Sequence, residues 1–171
     1  QHEKLECKAY MVSISNADVE LLLNLQHLLP SRPNVFIIGN GFGYSLAVLA
    51  TIFNSGHIDT LTLGGLPCED AGIHWARRFL YNASVNGDVY EGRSPGRTPE
   101  VAEGRTYDLA FIDGDHSYRS VLADFEGIQP FLANTSIIVF HDGSLSGVRN
   151  AIDDILSGSD AFADISDCIY Y

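Results

Sequence analysis

Phe111-Ile112-Asp113-Gly114-Asp115-His116 is an apolar run that breaks off into two carboxylates and an imidazole. Ser136-Ile137-Ile138-Val139-Phe140-His141-Asp142 repeats the pattern, with a His-Asp pair at its end. Short continuous apolar runs of this kind read as strands buried on both faces, the mark of a parallel sheet. In an open α/β sheet, ligands bind beyond the carboxyl ends of the strands. Two such strands side by side would gather three carboxylates and two imidazoles on one rim. That combination suits a divalent cation with a general base beside it.

Working outward, strands and helices alternate along the chain. A helix is predicted over residues 17–29, capped by Ser15 or Asn16, with Val19, Leu22, Leu23, Leu25 and Leu29 on its apolar face and Pro30 and Pro33 to stop it. Strands are expected at 34–38, 60–63, 88–91, 109–112, 136–140 and 165–171. Helices are expected at 44–53, 69–84, 117–132 and 146–156, with 92–104 a loop. Glu69 and Asp70 lie in the first turn of their helix, where the dipole favours acids. Alternation of this kind predicts an α/β fold: a doubly wound, mostly parallel sheet with right-handed crossovers. Residues 1–12 read as a lead-in and 13–171 as a single domain.

Composition narrows the function. Hydrophobic residues make up 46% of the chain and charged residues 19%, which excludes disorder. A net charge of −12 repels a phosphate backbone, so nucleic acid is not expected as a partner. No apolar run approaches the length of a membrane span, so no membrane partner is expected either. Cys7, Cys68 and Cys168 show no pairing pattern, and the expectation is no disulfide framework and a reducing, cytoplasmic setting. An unpaired strand edge at 165–171 would invite a second copy, hence a homo-oligomer.

The remaining motif is Gly39-Asn40-Gly41-Phe42-Gly43, set between a strand and a helix. Glycines there permit a tight turn and close approach of a ligand to backbone, while the helix N-terminus offers free N–H groups. The spacing is one residue short of the dinucleotide fingerprint. A glycine-rich turn without a ligand is the alternative reading. Asp113-Gly114 is likewise a turn dipeptide, and Asp115 or Ser117 could serve only as a helix cap.

Three blocks carry a resemblance: Val35 to Ser45, Asp108 to Tyr118, and Ile138 to Asp142 with the following Gly147-Val148-Arg149. Over roughly residues 15–156 the chain resembles the class I S-adenosylmethionine-dependent methyltransferases. The nearer likeness is to the branch of metal-dependent sugar and small-molecule O-methyltransferases that includes relatives of cephalosporin hydroxylase. The resemblance implies a Rossmann-like methyltransferase fold whose closing hairpin is incomplete here. It implies cofactor contacts at Gly39, Asn40, Gly41, Gly43, Tyr44, Ser45 and Asp113, and a metal at Asp113, His141 and Asp142. His116 would be the base, with Asp115 beside it orienting the loop or touching substrate. Hard oxygen ligands with at most one imidazole favour Mg²⁺, Mn²⁺ or Ca²⁺ over a thiolate metal, Mg²⁺ being the first expectation. The implied activity is divalent-metal-assisted O-methylation of a small-molecule hydroxyl. The alternatives are a scaffold that has lost methyl transfer, or a metal-dependent enzyme that does not methylate.

Three positions depart from that family. Ile37 stands where an acid usually lies within the first strand. Leu63-Gly64-Gly65 lacks the acid that usually holds the cofactor ribose, a role Glu69 or Asp70 could take over. Arg93 replaces an acid expected before Ser94.

Overall fold

The computed structural model describes residues 14–165. Element order is α1 Asn16–Leu25, β1 Asn34–Ile38, α2 Tyr44–Ile52, β2 His57–Thr62, α3 Pro67–Ala83, β3 Asn86–Glu91, α4 Thr98–Ala102, β4 Tyr107–Ile112, α5 Tyr118–Ile128, β5 Leu132–Phe140 and α6 Ser146–Gly158, with a 3₁₀ turn at Gln129–Phe131. Five strands form one sheet in the order β3-β2-β1-β4-β5, and every pairing is parallel. The doubly wound α/β architecture is as expected. The strand predicted over 165–171, like the lead-in at 1–12, falls outside the described residues, residue 165 excepted.

Alternation along the central strands explains the two-faced burial. Val35 and Ile37 of β1, with Leu109 and Phe111 of β4, pack on one side against Leu22, Leu46 and Ile73 of α1, α2 and α3. Phe36, Ile38, Ala110 and Ile112 point to the other side, against Ala102, Phe125 and Ile155 of α4, α5 and α6. Val35–Ile38 of β1 and Leu109–Ile112 of β4 are therefore apolar at every position, which is what made these strands legible. Ile37 is fully buried among these side chains.

Several boundaries differ from expectation. β2 starts three residues earlier than predicted, at His57, because it is paired on both sides from there, with Asn34 of β1 and Asn86 of β3. Asp59 is 2% exposed; it accepts from Tyr107 Oη at 2.8 Å and lies 2.9 Å from His57 Nε2 and 3.3 Å from Arg105 Nε. Burial pushes the Asp59 carboxyl up, but these partners together hold it below the usual carboxylate range. The predicted loop 92–104 contains α4, entered at Thr98-Pro99, where proline suits the first helical turn. β5 begins at Leu132 with a register shift between its pairings to Tyr107 and Leu109. Its far edge borders a groove of about 490 Å³ lined by Ile138, Phe140, Ile152 and Phe162.

Cys68, at the second residue of α3, is disulfide-bonded. The expectation of no disulfide is corrected at this residue, since the cysteine spacing showed no pairing pattern. Among the described residues, no helix is long and apolar enough to cross a membrane.

Register decides what stands at the carboxyl edge. Ile38 pairs with Ile112, and Ile112 with Phe140, so the residues that follow, Gly39, Asp113 and His141, come abreast. The ladder continues through them: Gly39 N donates to Leu61 O at 2.9 Å, Asp113 N to Ile38 O at 2.8 Å, and His141 N to Ile112 O at 3.0 Å. Gly39 adopts φ +89°, and a Cβ there would sit 2.0 Å from the Asp113 carbonyl oxygen. Gly39→Ala should accordingly cost more than about 2 kcal/mol, read as a fall in the urea midpoint, since both the backbone region and the space exclude a side chain.

Candidate active site at the carboxyl edge of the sheet

Asp113 ends β4 with its carboxylate divided between two neighbours. Oδ2 accepts from Ser45 Oγ, in the first turn of α2, at 2.9 Å. Oδ1 faces His141 Nδ1 at 3.0 Å and His116 Nε2 at 3.5 Å. Asp142 Oδ2 lies 3.5 Å from the same His141 nitrogen and 3.8 Å from the same His116 nitrogen. The four atoms form a closed quartet in which carboxylate and imidazole alternate. Neither His116 Nε2 nor His141 Nδ1 has a hydrogen-bond partner of good geometry, and both atoms are buried.

Local backbone explains how each side chain arrives. Asp142 turns the chain out of β5 in the left-handed region, φ 54°, which aspartate tolerates better than most residues. Leu145 N closes that turn on Asp142 O at 2.9 Å. Arg149 Nε, from α6, holds it by donating to Gly143 O at 3.2 Å. His116 is set by the turn that starts α5. Asp115 Oδ1 accepts from Ser117 N at 2.7 Å, and Ser117 Oγ caps the helix through Ser120 N. Gly147 lets α6 press against this turn, where a Cβ would meet His116 O at 2.3 Å.

Among the predicted site residues, Asp113, His116, His141 and Asp142 are brought together. Asp115 stands outside the quartet, exposed, its pKa lowered by the Ser117 backbone N–H. Gly39, Gly41 and Gly43 line the β1–α2 turn with φ of +89°, +46° and +94°, and Tyr44 is exposed at the start of α2. Asn40 is 4% exposed, and both polar atoms of its side chain lack partners. A glycine cradle with an orphaned buried amide fits a polar cofactor well.

Sequence reasoning missed three acids. Asp18, in the first turn of α1, places Oδ2 3.7 Å from His141 Nε2; its sole local signal is its place three residues after Ser15, the spacing of the capping box it forms. Glu91 ends β3 with its side chain 2.5–2.6 Å from where a Gly64 Cβ would lie, so a carboxylate does stand at the end of β2, supplied by the neighbouring strand. Asp70, one of the two acids offered as a replacement, accepts from Gly65 N at 2.9 Å. Asp124, 3% exposed in α5, lies against Gly114, and burial pushes its carboxyl up to about 6.

A doubly wound sheet with a glycine turn after β1 and an acid cluster at the end of β4 is the architecture of class I S-adenosylmethionine-dependent methyltransferases. A family model described as a methyltransferase domain matches residues 36–143, and the chain belongs to that family. It is 28% identical to the rhamnosyl O-methyltransferase of Mycobacterium leprae (strain TN) over 131 residues, covering 70% of this chain and 53% of that protein. The chain thus spans about half the length of this curated relative. Similar solved structures include an O-methyltransferase from Bacillus cereus in complex with S-adenosylhomocysteine, at TM-score 0.67 and 20% identity, covering 86% of this chain and 72% of that one. The O-methyltransferase TomG from Streptomyces achromogenes, in complex with S-adenosylmethionine, gives TM-score 0.67 and 19% identity, covering 86% and 71%. At such identities the likeness establishes the fold.

The Asp113 carboxylate beside His141 raises the imidazole pKa above its ordinary value; burial opposes this, and Asp142 and Asp18 add to it. A raised histidine contributes stability that is complete below the unfolded pKa of about 6.5 and is lost as pH rises through the folded value. In metal-free protein, Asp113→Asn should lower the His141 pKa by NMR titration. It should also reduce stability more at about pH 5.5 than at about pH 9.

Proposed function

We propose that the protein is an S-adenosylmethionine-dependent O-methyltransferase acting on a small-molecule hydroxyl, assisted by a divalent ion at Asp113, His141 and Asp142. The observation that carries this reading is the contact between two corners of one site. Ser45, just after the glycine turn, donates to Asp113, whose other oxygen faces the imidazoles. The donor cradle and the acid–base cluster are therefore built against each other.

S-adenosylmethionine, when bound, supplies a methyl group on a sulfonium, open to in-line attack with departure of the thioether. The chain's own residues account for the rest. The turn 39–43 would hold the cofactor's polar end near the N–H groups opening α2, which favour a carboxylate. Asn40 would gain partners for its amide, and Glu91 would accept from ribose hydroxyls in place of the missing β2 acid. The cluster would hold the acceptor hydroxyl and favour its ionisation, the proton leaving toward the open side, where Asp142 is 42% exposed. Orientation of nucleophile and methyl in line is worth on the order of 7–11 kcal/mol, more than proton removal supplies. Because the M. leprae relative is named for a rhamnosyl acceptor, sugar hydroxyls are the first acceptor class to test.

Transfer of labelled methyl from S-adenosylmethionine to a glycoside panel tests the proposal. Asp113→Ala should reduce transfer by about 10²–10⁴-fold. Calorimetry showing no cofactor binding at millimolar concentration would overturn it. Glu91→Gln should weaken cofactor binding about tenfold, the worth of one charge-assisted hydrogen bond. Unchanged affinity would remove Glu91 from the ribose role.

A further inference from the structure

We infer that the quartet is a mixed imidazole–carboxylate metal centre, with His116 a ligand beside Asp113, His141 and Asp142, and that it selects a borderline transition ion such as Zn²⁺, Co²⁺ or Fe²⁺ over Mg²⁺. This deepens the metal-assisted reading above and rests on it. It changes two roles: His116 is committed to the ion rather than to proton transfer, and the ion is not the oxygen-loving one that the sequence suggested.

Spacing is the first argument. Ligand distances of about 2.0–2.2 Å around one ion separate neighbouring donor atoms by about 3.0 Å at right angles and about 3.4 Å in a tetrahedron. The separations around the quartet are 3.0, 3.5, 3.8 and 3.5 Å. These four separations lie at or slightly outside those of neighbouring donors around one ion, and Asp142, the outermost, would close in on the ion from its turn. Asp113, His116 and His141 each offer an atom within 4.8 Å of the other two.

Burial is the second. His141 is 8% exposed, yet its Nδ1 has no hydrogen-bond partner and is aimed into the quartet, as is His116 Nε2. Buried polar atoms are normally satisfied, so two orphaned imidazole nitrogens facing two carboxylates call for a further group between them. Two neutral imidazoles and two carboxylates form a donor set suited to zinc, iron or cobalt. Mg²⁺ prefers oxygen and keeps its waters.

Support around the quartet is the third. The far nitrogen of His141, Nε2, faces Asp18 at 3.7 Å, so a small closure of the site would form the carboxylate–histidine pairing common around metal ligands. Asp18 is itself tied to Ser15 N and Ser15 Oγ at 2.7 Å each. Ser45 occupies Asp113 Oδ2, which leaves Oδ1 to face the imidazoles.

Chelator-treated protein without a histidine tag, loaded with Co²⁺, tests the inference. The expected result is a visible ligand-field spectrum that survives roughly hundredfold excess Mg²⁺. His116→Gln should alter that spectrum and weaken Co²⁺ binding about 10–100-fold. Should a histidine variant fail to fold, electron spin-echo spectroscopy of the unmodified protein loaded with Mn²⁺ should read nitrogen coupling from two imidazoles. Displacement of Co²⁺ by Mg²⁺, coupling from fewer than two imidazoles, or an unaltered His116→Gln spectrum would overturn the inference while leaving metal assistance standing. Failure to bind any divalent ion would overturn both and identify the quartet as an internal ion-pair network.

Discussion

Asp113 is fixed at three points, and the rest of the site follows from that. Its N–H continues the β1–β4 ladder to Ile38. Its carbonyl lies where any side chain on Gly39 would have to be. Its carboxylate is shared between Ser45 and two histidines. Strand register alone brings Gly39, Asp113 and His141 abreast, so a cofactor turn and an acid–imidazole cluster become parts of one edge. A one-residue slip would turn every side chain of β4 to the other face and bury the carboxylate in the core.

Electrostatics make the cluster tolerable in a chain of net charge −12. Two carboxylates alone at this separation would oppose each other's ionisation, but each imidazole sits between them. A cation at the quartet would relieve the repulsion between the two carboxylates. At the opposite end of the sheet, Asp59 is buried with His57, Tyr107 and Arg105. There His57, Arg105 and Tyr107 surround one carboxylate, although His57 Nε2 and Asp59 Oδ1 are also buried without a hydrogen-bond partner of good geometry. The contrast lies in place: the quartet stands at the carboxyl edge beside the glycine turn, where open α/β sheets bind ligands.

What could be read from sequence was what the backbone period encodes. β1 matches its expected bounds, Asn34–Ile38, because each of its core positions is apolar on both faces. The four quartet residues were visible as polar groups terminating apolar runs. Hidden features depend on long-range approach. β2 and β5 extend into segments whose polar residues look like loop until their partners are known. α4 lay behind prolines and glycines that read as turn. Glu91 takes up a position vacated on a neighbouring strand, and Asp18 reaches His141 from the far end of the chain. The disulfide at Cys68 left no local trace.

The central claim is that the ends of β4 and β5 converge on one ion beside the cofactor turn. Crystals soaked with Co²⁺ and S-adenosylhomocysteine, with data collected at the cobalt edge, test it most directly. The account predicts one anomalous peak enclosed by Asp113, His116, His141 and Asp142, with nucleoside density against Gly39–Gly43 and Glu91. A peak elsewhere, or a turn that stays empty while the metal site fills, would contradict it.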